Sequence, residues 1–295
     1  MELVNWIKPI VLQTIVITTI VFVLLVIVEI LYIRFTPTIE NKLVKRRGTQ
    51  YVLGAILGSI PGCTGTFAMD ALYMAGLVGF GGIVSAMVTT FGDEAFVIIG
   101  QMAMPNSAIT IKNLAVLFIS LFVLGILAGF LADKFIDVTG MKFCPRCKIE
   151  KHEDIDTSSI SKIPTKHFFK EHIVNHILKK HIPNIALWLF ASLIVVSALE
   201  KSFNMETIIT NNKFFLILAA AAIGILPISG PNIVFISMFA QGILPFSVLL
   251  TNSIVQDGHG LLPILGFSLD DAAKIKVFNL VFGLAVGFTV AAFGG

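Results

Sequence analysis

Gln256, Asp257 and His259 interrupt an apolar stretch, Pro245 to Leu265, that reads PFSVLLTNSIVQDGHGLLPIL. A carboxylate and an imidazole two residues apart can share a cation or pass a proton. Ionisable side chains at bilayer depth are expensive, so their presence there points to function. The two glycines beside them, Gly258 and Gly260, loosen any helix running through this point. A second acidic pair, Asp93 and Glu94, follows the apolar run that ends at Phe91. Two or three carboxylates with one imidazole and the Gln256 amide suit a divalent cation of borderline hardness, such as Mn2+ or Fe2+. Soft thiolate ligands are sparse at this depth, which argues against Cu+. The bland alternatives are a satisfied structural pair for Asp257 with His259, and an aqueous loop for Asp93 and Glu94.

The elements that position these residues must be membrane helices. The chain has 295 residues, 56% hydrophobic and 13% charged, with a mean hydropathy of +0.91. Soluble domains carry about twice that share of charge. The apolar runs Ile10 to Ile33, Leu114 to Ala132 and Val277 to Phe293 are long enough to cross roughly 30 Å of hydrocarbon as helices. Short segments of alternating polarity, the mark of a membrane β-barrel, do not occur. The first run is too long for a signal-peptide core and lacks a small-residue cleavage site, so it is expected to stay as a helix.

A repeat organises the chain. Sliding the sequence by 166 residues aligns Gly58 with Gly224, Pro61 with Pro227, Gly76 with Gly242, Gly92 with Gly258, Gly100 with Gly266 and Asn113 with Asn279, without a gap. Four glycines coincide, where about one would by chance. The helix breakers fall at two places in each half: Pro61 to Gly65 facing Pro227 to Pro231, and Gly92 to Glu94 facing Gly258 to Gly260. Interrupted apolar segments at corresponding positions in two halves are the best sequence pointer to a transporter binding site. Thr64, Thr66, Ser229 and Asn232 line the first pair of breaks, with capping of interrupted helices as their competing role; Asn252 and Asp70 extend the candidate substrate path, Asp70 having a loop as its alternative.

Charge sets the orientation. Arg34 to Gln50 holds five basic residues and one acid, and Lys134 to Pro183 holds ten basic residues. Both read as cytoplasmic. An even number of crossings then separates them, so the second half is expected to be inverted relative to the first. Five crossings per half, or three with a re-entrant hairpin at each Pro break, both satisfy this. The expected architecture is an all-α, multi-pass bundle of two inverted-topology repeats, residues 1–133 and 184–295, joined by a cytoplasmic segment, 134–183. That segment carries Cys144 and Cys147 at zinc-ligand spacing with His152 nearby, a candidate secondary site for Zn2+. A basic amphipathic helix on the membrane surface is an equal alternative for the same segment.

No HExxH, GxSxG or Walker A motif occurs, so the chain is expected not to be an enzyme, and any pumping must draw on an ion gradient or a partner. Through SIPGCTGTFAMDALY (59–73), GDEAFVII (92–99) and ILPISGPNIVFISMFAQGILPFSVLLTNSIVQDGHGLLPIL (225–265), the chain resembles the putative manganese transporter family, also described as putative ten-helix heavy-metal exporters. The resemblance covers most of both halves and implies a prokaryotic plasma-membrane exporter with Mn2+ the favoured cargo. The expected function is a secondary transporter of a divalent cation working by alternating access against protons, with no required cofactor. Its partners would be the bilayer, the metal and further copies of itself in a homo-oligomer; nothing points to nucleic acid. The alternatives are an arsenical or oxyanion permease, and a membrane metal sensor signalling through the Cys/His segment.

Overall fold

The computed structural model describes residues 6–20, 46–74, 76–91, 94–105, 107–140, 205–227 and 229–294, with short helical pieces between 22 and 26 and between 182 and 198. The regular structure among the described residues is helical, with no strand. Its helices are α1 (Trp6–Ile20), α2 (Arg47–Gly58), α3 (Thr64–Met74), α4 (Phe80–Thr89), α5 (Glu94–Met102), α6 (Ile111–Thr139), α7 (Met205–Gly224), α8 (Ile233–Ala240), α9 (Phe246–Val255), α10 (Leu262–Phe267) and α11 (Leu269–Ala292). A 3-10 turn, Gly230–Asn232, leads into α8.

Among the described residues, three stretches are long and apolar enough to cross a membrane: Phe80–Met102, Ile111–Thr139 and Leu269–Ala292. The first is almost wholly buried, whereas α6 and α11 show most of their length to the outside. On α6, Leu117 and Leu121 are buried while Ile119, Val123 and Phe130 are exposed. A helix apolar on all sides belongs in lipid. The molecule is therefore an all-α, polytopic membrane protein, with α4 and α5 at its centre and α6 and α11 on its rim.

The short helices end where the breakers stand. α2 stops at Gly58 and α3 starts at Thr64, on either side of the Pro61 break, and α7 stops at Gly224 ahead of Pro227. α4 and α9 each run for ten residues. Both then turn extended, at Thr90 (φ −69°, ψ 131°) and Gln256 (φ −75°, ψ 135°). Gly76 and Gly242 both adopt positive φ, 69° and 74°, a conformation that only glycine enters without strain. Each of these pairs is separated by 166 residues.

Packing pairs corresponding helices in the two halves. α2, α4 and α6 pack on one another, as do α7, α9 and α11. Small residues let the long helices approach. A Cβ at Gly125 would stand 1.9 Å from Thr89 Oγ1, and one at Gly287 would stand 1.9 Å from Thr251 Oγ1. Between the two sets, α5 packs on α8 while α10 packs on α3, and α4 meets α9 directly. Equivalent elements thus exchange equivalent partners, as in a two-fold interface.

Two helix boundaries differ from the sequence expectation. α11 begins at Leu269, upstream of the Val277 to Phe293 run. Ser268 caps it, its Oγ accepting from the Asp271 amide at 3.3 Å, and Asp270 and Asp271 in the first turn suit the positive helix end. This start draws Lys276 into the helix. α6 likewise runs on to Thr139, past Lys134, and ends at Gly140 with φ 65°.

Candidate functional site

The interrupted ends meet. Gln256, just past α9, donates its Nε2 to the Thr90 carbonyl, just past α4, at 3.5 Å. The hydroxyls of Thr90 and of Thr66, near the start of α3, stand 3.4 Å apart. The turn carrying Asp257 to Gly260 is wedged between the two Pro breaks. A Cβ at Gly260 would come within 3.2 Å of the Thr66 side chain, and one at Gly258 within 2.8 Å of Ser229 Oγ. Gly258 also has φ 52°, so glycine is demanded there twice over.

Asp257 is enclosed, its side chain 0% exposed. Its Oδ2 is 2.6 Å from Lys276 Nζ, and its Oδ1 accepts from Asn279 Nδ2 at 2.8 Å. Both partners come from α11, one turn apart on one face. Lys276 makes two further bonds, to the carbonyls of Gly224 at 2.9 Å and Val255 at 3.0 Å. Two of the ammonium donors are thus used in hydrogen bonds, and the contact with Asp257 is an ion pair.

His259 lies beside the other break, its Nδ1 3.5 Å from Ser229 Oγ. Asn252 Nδ2 donates to Asn232 Oδ1 at 2.9 Å and to the Ala220 carbonyl at 3.0 Å, tying α9 to α7 and to the turn before α8. Asp70 sits one turn beyond Thr66 on α3 and is 0% exposed. Neither of its oxygens has a hydrogen-bond partner among the described residues. It lies within electrostatic reach of Asp257. One turn further on, Tyr73 faces the buried Asp271 at the start of α11. Glu94, also buried, opens α5 four residues after Thr90.

The structure thus brings Thr66 to Gln256 through Thr90, and Ser229 to His259. Asn232 meets Asn252, and Asp70 comes into the field of Asp257. Thr64 stands half-buried at the head of α3. Among the described residues, no three His, Cys, Asp or Glu side chains converge as one metal-binding group. Asp93, Cys144, Cys147 and His152 lie outside the described residues.

Sequence reasoning missed Lys276, Thr90, Tyr73 and Asp271 as members of this region, and read Asn279 only as the repeat mate of Asn113. A signal was present. Ala272, Lys276, Asn279, Gly283 and Gly287 recur every three or four residues, a stripe that faces inward once the helix is started at Leu269 rather than at Val277.

Apolar helices broken in mid-course, with buried charges gathered at the breaks, define a polytopic membrane transport protein. Residues 10–199 and 166–292 match the model of a family described as "Putative, 10TM heavy-metal exporter", and the chain belongs to that family. No curated protein and no solved structure matches the chain.

Proposed function

We propose that the chain is a secondary transporter that exports a divalent metal cation, with Mn2+ the favoured cargo, across a prokaryotic plasma membrane in exchange for protons. The observation that carries this reading is the acidic excess where the interrupted helices meet. Asp70 and Asp257 lie in each other's field, and Lys276 is the basic residue paired there. A buried carboxylate without a donor must be neutralised by a proton or a cation. A site alternating between the two occupants is a cation–proton exchanger.

The same charges weigh against the oxyanion reading. The start of α3 at Thr64 and the turn at Ser229 could offer backbone amides to an anion, but the same region holds the buried carboxylates of Asp70 and Asp257. Repulsion from those carboxylates would oppose the anion. Oxygen donors with one imidazole, His259, suit Mn2+ better than a soft metal.

Alternating access follows from two sets of helices rocking about their shared contact. The spacing of 166 residues, the exchanged partners α3–α10 and α5–α8, and the basic segments on either side of the first half all support an inverted arrangement. Flux into proteoliposomes tests the whole reading. Mn2+ movement that Asp257→Ala abolishes supports it. Movement of arsenite or arsenate alone would make the chain an oxyanion permease. Absence of any flux, with Zn2+ bound at Cys144 and Cys147, would make it a sensor.

A further inference from the structure

Lys276 does more than neutralise Asp257. Its Nζ sits in a cage of three oxygens: Asp257 Oδ2 at 2.6 Å, the Gly224 carbonyl at 2.9 Å and the Val255 carbonyl at 3.0 Å. Gly224 is the last residue of α7 and Val255 the last of α9. Terminal helix carbonyls lack intrahelical donors and carry the negative end of the helix dipole. Two such ends and a carboxylate therefore converge on one point, which is a cation seat by construction. Helix ends and unwound carbonyls holding a cation are a recurrent arrangement at the midplane of transporters.

The arrangement belongs to one half only. The positions that correspond to Asp257 and Lys276, 166 residues earlier, are Phe91 and Thr110. There the end of α2 closes directly on α4: a Cβ at Gly58 would come within 2.4 Å of the Ala86 carbonyl. The repeat thus supplies two similar corners, and only the second has been given charges.

We propose that this cage is a cation seat which Lys276 and the transported cation occupy in alternation, the tethered ammonium standing in for the cargo when the cargo is absent. The seat rests on this geometry, and the identity of its second occupant rests on the exporter reading. Lys276 is suited to the part. Its side chain is 12% exposed and its four-carbon stem is flexible, so the ammonium can withdraw without moving the helix. Return of the ammonium would expel the cargo, and the seat would never be left as a bare buried carboxylate.

Lys276→Met in nanodiscs, titrated with MnCl2 by electron paramagnetic resonance, is the direct test. A seat that the lysine fills for about nine-tenths of the time or more weakens apparent affinity by about tenfold or more. Mn2+ should therefore bind Lys276→Met at least about tenfold more tightly than wild type, and Asp257→Asn in the same background should remove the gain. Flux should fall although binding tightens, because nothing expels the ion. Lys276→Ala with methylammonium, read as thermal stability, covers the case of a poorly folding variant. Stabilisation of Lys276→Ala by methylammonium, lost in Lys276→Ala/Asp257→Asn, supports the seat even if Mn2+ is neither bound nor moved, in which case the exporter reading alone fails. Mn2+ flux in wild type, with neither cation showing an Asp257-dependent effect in the Lys276 variants, overturns the seat and keeps the exporter.

Discussion

Gln256 and Thr90 hydrogen-bond to each other, Nε2 to carbonyl at 3.5 Å, and they are 166 residues apart. That is the spacing that also relates α4 to α9, Gly58 to Gly224 and Gly76 to Gly242. The contact joins the ends of α4 and α9 directly, and the residues just beyond it are Asp257 on one side and the Glu94 segment on the other.

Removing one partner of the Asp257–Lys276 pair should be worse for stability than removing both. Asp257→Ala strands an ammonium against two carbonyls and should cost about 3–5 kcal/mol. Asp257→Asn/Lys276→Met should recover most of that loss without restoring Mn2+ flux. Thermal unfolding in detergent, followed by tryptophan fluorescence, measures the first effect and proteoliposome flux the second. Equal destabilisation by the single and double variants would mean that the ion pair is not desolvated as described.

Asp70 should matter to transport more than to folding. Asp70→Asn keeps the shape and removes a charge that has no donor among the described residues. Its melting temperature should stay level or rise while flux falls. A large loss of stability would show that the carboxylate holds the fold instead.

The small residues on the long helices should be intolerant of a single methyl group. Gly287→Ala places a Cβ on Thr251 Oγ1, and Gly125→Ala places one on Thr89 Oγ1. Each should cost about 1–3 kcal/mol. Thr251→Ala should relieve part of the Gly287→Ala penalty, a non-additivity expected of touching residues. Additive losses would mean that the backbone yields first.

Accessibility labelling addresses the inversion. In a background without native cysteines, Lys45→Cys and Ile160→Cys should both react with a membrane-impermeant maleimide from the cytoplasmic face. Labelling from opposite faces would break the parity on which the inverted arrangement depends.

The amino-acid order by itself determined the class of molecule and the places where its helices break. Apolar runs of spanning length leave only helices as a solution in lipid, and Pro61, Pro227 and the paired glycines interrupt them by local backbone chemistry that needs no tertiary context. Asp257 was also legible, since a charge in such a run has few innocent explanations. Its partner was not. Lys276 lies beside a second lysine, Lys274, and two acids, Asp270 and Asp271, in what reads as a polar loop. Only the capped start of α11 at Ser268 turns that stretch into a helix whose inner face carries Lys276 and Asn279. The oxygen cage was likewise beyond reach, because two of its three oxygens are backbone carbonyls. Every residue has one, and which of them point at a lysine depends on where two helices far apart in the chain come to an end.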